Sequence, residues 1–268
     1  MYSGTYDDIY PAVTEILQDL IRPEDAYHMA HARRMARTLH VLLDQRPEGR
    51  LLEIGTGGVI PLALAELLPD LEVSVTNFDE QVAVEHSYDV TINDSYGIFK
   101  GYRVDLEYDQ IPVPDKTFDW VLCCEVIEHM EIDPMFMMSE INRVTKTGGS
   151  LLLTTPNIVS SQALTKMVYG FEPYFYMQYH PDRQYHRHNY EYSIHSVMQV
   201  LKASGYDGKI WTEDNFENGL SEVPSRLRNA GFNINHIGDN IITVAKKNTG
   251  VVDRHPSVMY DVRGTPHA

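Results

Sequence analysis

Cysteine, basic residues and long apolar runs are all scarce in this chain of 268 residues. The two cysteines, Cys123 and Cys124, are neighbours that cannot readily close an ordinary disulfide, so we expect a reduced, cytoplasmic protein. Lys and Arg total 22 against 38 Asp and Glu, and the formal net charge of −16 argues against nucleic acid or a membrane surface as partner. We expect no membrane span and no signal peptide, because no long apolar stretch occurs and the first ten residues lack a basic start.

Short apolar strands alternate with amphipathic helices from residue 50 to residue 155. This alternation predicts an α/β fold with a doubly wound parallel sheet, which binds ligands at the carboxyl ends of its strands. The predicted strands cover 51–54, 72–78, 99–104, 118–124 and 150–155, and the predicted helices cover 59–68, 80–90 and 133–144.

The flanking regions differ from this alternating region. Residues 1–48 predict two N-terminal helices that break near Pro23, with Asp25 capping the second and Met29, Met35, Leu39 and Leu42 forming its apolar stripe. Residues 49–247 form the predicted main domain, and residues 248–268 resemble a tail. Residues 156–192, the aromatic segment, are rich in Tyr, Phe and His and predict a functional lid. Further elements are predicted at 194–204, 209–213, 222–230 and 240–246.

A glycine-rich turn follows the first predicted strand, from Glu53 through Gly55, Thr56 and Gly57 to Gly58. Glycines allow a tight turn and a close approach of the backbone to a ligand. A dinucleotide-binding loop needs a third glycine where this chain has Ile60, which tells against a nicotinamide or flavin enzyme.

Landmarks after successive strands together resemble the class I S-adenosylmethionine-dependent methyltransferases. An acid precedes the glycine turn, Asp79 follows the second strand, Asp105 and Leu106 follow the third, and the fourth strand ends at Cys124 and Glu125. The resemblance implies a Rossmann-like seven-stranded sheet, with N-terminal helices and an aromatic insertion after the fifth strand, that binds S-adenosyl-L-methionine. It assigns cofactor binding to Glu53, Gly55, Thr56, Gly57, Asp79, Asp105, Leu106, Cys124 and Glu125.

A second group of polar residues, Glu125, Glu128 and His129, stands at positions i, i+3 and i+4. A helical turn that began at the end of the strand would place all three on one side. Two carboxylates and an imidazole need a counter-charge, and this donor set suits Mg²⁺ or Mn²⁺ better than a structural zinc ion.

This spacing resembles the E-x-x-E-H pattern of the small-RNA 3′-terminal 2′-O-methyltransferases, which also carry a later H-x-H segment. The ubiquinone-pathway O-methyltransferases share the first part. The resemblance implies metal ligands at Glu125, Glu128, His129 and His188, with Glu128 and His129 as catalytic residues. A reading without metal stays open, in which Glu125 lines the methionine pocket, His129 is a general base or packs on a helix, and His186 and His188 are ordinary loop histidines.

The acceptor is predicted from the aromatic segment, whose rings suit a sugar face or a phenol. We therefore expect O-methylation of a hydroxyl on a small molecule, sugar or glycan, with a homodimer as the candidate assembly. One alternative is RNA 3′-terminal 2′-O-methylation, for which the candidate basic groove is Arg183, Arg187, Arg226 and Arg228. Another is a non-catalytic S-adenosylmethionine-binding partner subunit.

Overall fold

The computed structural model describes residues 6–175, 179, 187–215, 222–232 and 234–260. Its helices are α1 (Tyr6–Leu20), α2 (Ala26–Asp44), α3 (Val59–Leu67), α4 (Pro134–Val144), α5 (Ser161–Val168), α6 (Ile194–Ala203) and α7 (Glu222–Asn229). Its strands are β1 (Arg50–Ile54), β2 (Glu72–Asn77), β3 (Glu85–Ile92), β4 (Ser95–Arg103), β5 (Phe118–Cys124), β6 (Thr145–Pro156), β7 (Tyr206–Glu213) and β8 (Asn240–Lys247).

The strands form one mixed sheet in the order β3-β4-β2-β1-β5-β6-β8-β7. Strand β1 runs parallel to β2 and β5, and β2 runs parallel to β4. The outermost pairs, β3 with β4 and β7 with β8, are antiparallel. The predicted Rossmann-like architecture with N-terminal helices is confirmed, with eight strands in the described residues in place of the expected seven.

The helix predicted at residues 80–90 is wrong, because β3 occupies Glu85–Ile92. The residues of β3 alternate strictly between exposed and half-buried, which is the period of a strand with one covered face. Pairing of Ile92 with Ser95 closes a hairpin over two residues. Asn93 accommodates the left-handed turn with a φ of 58°, a conformation that Asn tolerates better than most residues.

The described chain divides into two compact units. The first holds the chain up to Asp105, together with Asp109–Cys124 and Val144–Leu152. Its core is apolar on both faces of the central strands, where Leu52 of β1 and Val121 of β5 are fully buried. The apolar run at 118–124, predicted to be a strand, fits this burial, since a strand covered on both sides needs no polar alternation.

The two N-terminal helices also occur where they were expected, separated by the break at Pro23. Asp25 caps α2, because its Oδ1 accepts a hydrogen bond from the backbone nitrogen of His28 at 3.1 Å. The expected apolar stripe is only partly buried: Leu39 and Leu42 are fully buried, whereas Met29 is 47% exposed. The first turns of α2 therefore lie at the surface.

The second unit holds Leu106–Tyr108, Glu125–Arg143 and the described chain from Leu153 onward. Its helix α5 was not predicted and lies inside the aromatic segment, where Ser160 caps it by accepting a hydrogen bond from the nitrogen of Ala163 at 3.2 Å. The predicted tail is packed as far as residue 260. Arg254 Nη1 donates to Asp133 Oδ1 at 2.9 Å, and the Tyr260 hydroxyl donates to the same atom at 2.6 Å.

These tail contacts change the chemistry of the groups involved. Burial alone would raise the pKa of Asp133, but the hydrogen bonds from Arg254 and Tyr260 outweigh it and lower that pKa. Burial of Tyr260 and its contact with Asp133 raise the pKa of Tyr260.

Of the helices that the structure describes, none is both long enough and apolar enough to cross a membrane.

Candidate active site

The glycine turn between β1 and α3, residues Glu53–Gly58, is the donor loop. Its geometry is held by Thr76, whose Oγ1 accepts a hydrogen bond from Gly55 N at 2.9 Å. Within the loop, Gly58 N donates to Thr56 Oγ1 at 3.1 Å. Gly55 and Gly58 have φ angles of 69° and 88°, which side-chain-bearing residues rarely adopt. The turn therefore depends on glycine at both positions.

The donor loop has one open side and one packed side. A Cβ built on Gly57 would meet no atom within 4 Å, whereas one on Gly58 would lie 2.7 Å from Val90 Cγ2. Gly57 is exposed and Gly58 is buried. The open side at Gly57 is thus the place where a ligand can come against the backbone.

Glu53, at the start of the donor loop, is a buried carboxyl group with only 6% of its surface exposed. Burial raises its pKa to about 7, and a hydrogen bond with Thr56 partly opposes that effect. Its Oε2 is buried and has no hydrogen-bond partner among the described residues. A buried carboxylate of this kind suits a cationic ligand group such as the ammonium of an amino acid. The donor loop therefore fits the amino-acid end of S-adenosylmethionine.

Other predicted cofactor residues of the first unit follow the neighbouring strands. Asp79 is exposed two residues after β2, and its Oδ1 accepts a hydrogen bond from Gln81 N at 2.9 Å. Asp105 is half-buried two residues after β4, and its backbone nitrogen donates to Asp109 Oδ2 at 3.0 Å. Cys124 is the last residue of β5 and is half-buried. Each lies at a carboxyl end, as the sequence predicts.

Leu106 and Glu125 belong to the second unit. Leu106 is half-buried. Glu125 has a φ of 57°, an uncommon value for a residue other than glycine. Its Oε1 accepts hydrogen bonds from Thr154 Oγ1 and Asn240 Nδ2, both at 2.7 Å. Glu125 is therefore fixed by groups of β6 and β8, in a strained backbone conformation of the kind that concentrates at functional sites.

The two other residues of the E-x-x-E-H pattern lie on a separate turn. A single 3₁₀ turn spans Ile127–His129, so the helical turn starts after Glu125 and not with it. Glu128 is fully buried, and its Oε2 accepts a hydrogen bond from Thr155 Oγ1 at 2.9 Å. The expectation that all three residues share one helical face is therefore wrong, because Glu125 lies outside the turn.

One ligand atom from each of Glu128, His129 and His188, the cation cluster, lies within 4.8 Å of the others. His129 Nε2 is 3.9 Å from Glu128 Oε1, and the rings of His129 and His188 are 5.2 Å apart between centroids. Within the described part of the chain, Glu125 is not a member of this group. The structure therefore brings together three of the four metal ligands that the resemblance implies.

Backbone contacts hold the cation cluster together across 60 residues of sequence. Asn189 N donates to the carbonyl oxygen of Glu128 at 2.7 Å, and Asn189 Nδ2 donates to the carbonyl oxygen of His129 at 2.9 Å. The segment that carries His188 is thereby fixed on the 3₁₀ turn. His186 and Arg183, also singled out in the sequence, lie outside the described residues.

Hydrogen bonds set the tautomers of both imidazoles. His129 Nδ1 is 3.0 Å from the carbonyl oxygen of Arg187, which can only accept, so Nδ1 carries the proton and Nε2 presents a lone pair. His188 Nδ1 donates to Glu191 Oε1 at 2.8 Å, with the same result. Two Nε2 lone pairs and a carboxylate form a donor set that fits a divalent cation.

Glu191 is a site residue to which the sequence analysis assigned no role. It is buried, and its Oε1 accepts hydrogen bonds from both His188 Nδ1 and Phe175 N, the latter at 2.6 Å. Carboxylates that orient ligand histidines in this way are usual around protein metal sites. The available signal was its position three residues after His188, directly beyond the H-x-H segment.

Comparisons with known proteins agree with this architecture. The family model described as "Methyltransferase domain" matches residues 26–209. The chain is 34% identical over 122 residues to a mitochondrial ubiquinone biosynthesis O-methyltransferase of Schizosaccharomyces pombe. The aligned region covers 43% of this chain and 41% of that protein. The chain is 31% identical over 116 residues to a ubiquinone biosynthesis O-methyltransferase of Xanthomonas campestris pv. campestris, and this region covers 41% of this chain and 44% of that protein. The matched region thus spans less than half the length of these curated relatives.

Solved structures share the fold at lower sequence identity. A SAM-dependent methyltransferase of Archaeoglobus fulgidus aligns with a TM-score of 0.53 at 20% identity, over 83% of this chain and all of that one. An N-methyltransferase of Bradyrhizobium japonicum, solved with S-adenosylhomocysteine, aligns with a TM-score of 0.51 at 11% identity, over 89% and 99%. The fold is therefore shared with proteins that methylate nitrogen.

Proposed function

We propose, for a chain that belongs to the class I S-adenosylmethionine-dependent methyltransferases, that the methyl acceptor is a hydroxyl group and that a divalent cation assists the transfer. The single observation that carries this proposal is the cation cluster of Glu128, His129 and His188. The acceptor would be a small molecule, sugar or glycan in the cytoplasm.

The names of the curated relatives support the choice of oxygen over nitrogen. Both are named O-methyltransferases. The E-x-x-E-H pattern, by which this chain resembles that group, falls at Glu125, Glu128 and His129. A neutral amine attacks through its own lone pair and does not need a cation to become nucleophilic. A hydroxyl needs help to lose its proton.

The protein residues would divide the work as follows. Glu128 and the Nε2 atoms of His129 and His188 would hold Mg²⁺ or Mn²⁺, which lowers the pKa of a bound acceptor hydroxyl. Glu191 keeps the proton of His188 on Nδ1, and the carbonyl oxygen of Arg187 does the same for His129. Without a cation, the His129 Nε2 lone pair would be the base that takes the acceptor proton.

Net charge and local pairing make RNA the weaker acceptor proposal. The chain carries a formal net charge of −16, which repels a phosphate backbone. Of the arginines considered for a basic groove, Arg226 pairs with Glu222 at 2.8 Å on an exposed face of α7. These charges favour a small acceptor that carries few phosphates.

A turnover assay with matched acceptors tests the proposal. Wild-type protein with S-adenosylmethionine and Mn²⁺ is offered a catechol, a sugar, a polyol and a primary amine, with and without excess chelator. We expect methylation of at least one hydroxyl acceptor and its loss on chelation. Methylation of the amine alone would refute the hydroxyl, and full activity in chelator would refute the cation.

The variant Glu128→Gln separates cation binding from donor binding. Glutamine keeps the shape and the hydrogen bond from Thr155 but removes the charge, so we expect Mn²⁺ affinity to fall by about 100-fold or more, beyond the effect of changing an outer group. Affinity for S-adenosylhomocysteine should stay the same. Glu131→Gln, at an exposed position three residues later, is the control and should change neither.

A further inference from the structure

The edge hairpin of β3 and β4 lies against the donor loop. The half-buried face of β3 carries Tyr88, Val90 and Ile92. All three approach the position that a Cβ on Gly58 would occupy, with Val90 Cγ2 at 2.7 Å, Ile92 Cδ1 at 3.6 Å and the Tyr88 hydroxyl at 3.8 Å. A strand that the sequence analysis had expected to be a helix therefore packs on the loop that begins the donor site.

The hairpin is anchored at its tip as well as along this face. Asn93 Nδ2 donates to the carbonyl oxygens of Asp19 and Leu20, at 3.2 and 2.8 Å, at the end of α1. These bonds fix the tip of the hairpin, in addition to the pairing of β4 with β2. Tyr88 therefore lies on a hairpin that is fixed at its tip and along one face. Such support suits a residue that binds a ligand through its hydroxyl group.

Tyr88 and Glu53 share one electrostatic environment. Burial raises the pKa of Tyr88, and the negative charge of Glu53 raises it further, so the hydroxyl keeps its proton throughout the physiological range. No hydrogen bond of the Tyr88 hydroxyl occurs among the described contacts. The Tyr88 hydroxyl therefore lies beside the donor loop and within the electrostatic field of Glu53, whose Oε2 is buried and has no hydrogen-bond partner among the described residues.

We propose that Tyr88 is a donor-binding residue, whose hydroxyl donates a hydrogen bond to the carboxylate of the amino-acid end of S-adenosylmethionine while Glu53 binds its ammonium. The zwitterion at that end of the molecule needs one anionic and one hydrogen-donating partner, and this pair supplies both. The inference concerns the methyl donor and depends on family membership alone, so it stands or falls independently of the acceptor and the cation.

Calorimetry with three ligands tests this assignment on the full chain. S-adenosylhomocysteine carries the whole amino-acid end, its decarboxylated analogue keeps only the ammonium, and 5′-methylthioadenosine lacks both. For Tyr88→Phe we expect affinity for S-adenosylhomocysteine to fall about 2- to 10-fold, the effect of one lost hydrogen bond. The affinities for the other two ligands should not change. Tyr96→Phe, on the same hairpin but 59% exposed, is the matched control and should bind all three like wild type.

Three results would overturn the proposal. One is wild-type affinity of Tyr88→Phe for S-adenosylhomocysteine, and a second is an equal loss for 5′-methylthioadenosine, which would mean that Tyr88 only packs on the loop. The third is a loss that persists with the decarboxylated analogue. A wild-type protein that binds S-adenosylhomocysteine but methylates no hydroxyl would end the acceptor proposal and leave this one intact.

Discussion

The donor loop and the cation cluster are built in different ways. The donor loop is six consecutive residues, and its shape comes from backbone turns that Gly55 and Gly58 permit. The cation cluster joins residues 60 positions apart, and hydrogen bonds from the backbone and the side chain of Asn189 to backbone carbonyl oxygens bring them together. The first is a local structure that carries its own geometry, whereas the second exists only once the chain has folded.

Buried carboxylates occur at both sites, and each is held by hydrogen bonds to one of its oxygens. Glu53 of the donor loop has a buried oxygen with no hydrogen-bond partner among the described residues. Glu128 accepts a hydrogen bond from Thr155, and Glu191 accepts two. Glu191 likewise has a buried oxygen, Oε2, without a hydrogen-bond partner among the described residues, so the two sites differ in which groups their carboxylates contact and not in whether every oxygen is paired.

The largest effect should come from adding a methyl group to the packed side of the donor loop. For Gly58→Ala we expect a loss of about 2 to 5 kcal/mol in the free energy of unfolding, because alanine is strained at a φ of 88° and its Cβ collides with Val90. Gly57→Ala should change that free energy by less than about 0.5 kcal/mol, since its Cβ meets open space.

Urea unfolding and calorimetry of this glycine pair would sharpen the comparison. Gly57→Ala should weaken S-adenosylhomocysteine binding in a protein of normal stability, because the new methyl group occupies the open side. Equal stability losses in both variants would contradict the division of the loop into a packed and an open side.

A smaller effect concerns the pH dependence of stability. Because the pKa of Glu53 is raised from 4.5 to about 7, the native state binds more protons than the unfolded state between those values, and stability falls as pH rises through that window. The fall contributed by Glu53 is at most about 3 kcal/mol. We expect Glu53→Gln to remove it, measured by urea unfolding at pH 5 and pH 8 without ligand.

The exposed neighbour Glu66 provides the control for this measurement. Glu66→Gln should keep the wild-type difference in stability between the two pH values. If Glu53→Gln also keeps that difference in stability, the pKa of Glu53 is not raised in the folded protein, and the prediction is wrong.

The smallest of these effects tests the preorganisation of the cation cluster. For Glu191→Gln we expect Mn²⁺ affinity to fall about 10- to 100-fold, because the imidazole of His188 loses the charge that orients it and raises its basicity. Paramagnetic resonance measures bound Mn²⁺ directly. Glu172→Gln, on an exposed stretch of the aromatic segment, should bind Mn²⁺ like wild type. A normal affinity in Glu191→Gln would show that the cluster needs no outer support.

Much of the fold could be predicted because the signals were local. The apolar run 118–124 became β5 with the same bounds, and Asp25 capped α2 as expected. The helix prediction for residues 80–90 failed because the polar and apolar residues there alternate with the two-residue period of a strand and not with the period of a helix. The hairpin pairing that distinguishes a strand from a helix there depends on β4, outside the segment.

The candidate site also has a part that local sequence signals predicted and a part that they did not. Its contiguous part, from Glu53 to Gly58, was found from residue types and order. The separation of Glu125 from Glu128 was not, because it follows from the positive φ of Glu125 and from hydrogen bonds to Thr154 and Asn240, which come from distant strands. Spacing along a sequence fixes a common face only inside a continuous helix.

The alternating architecture, the glycine turn and the residue types available for chemistry could be predicted from the amino-acid sequence, because these depend on backbone preference and on the burial of apolar side chains. The family resemblance already implied that His188 joins Glu128 and His129, but the folded structure was needed to show that Glu125 stays outside this group, that Glu191 orients His188 and that Tyr88 lies against the donor loop. The contacts of Glu125 and Tyr88 join segments far apart in the chain and are set by the packing of both segments, whereas the bond between Glu191 and His188, three residues apart, depends on how the loop that carries them is held on the 3₁₀ turn.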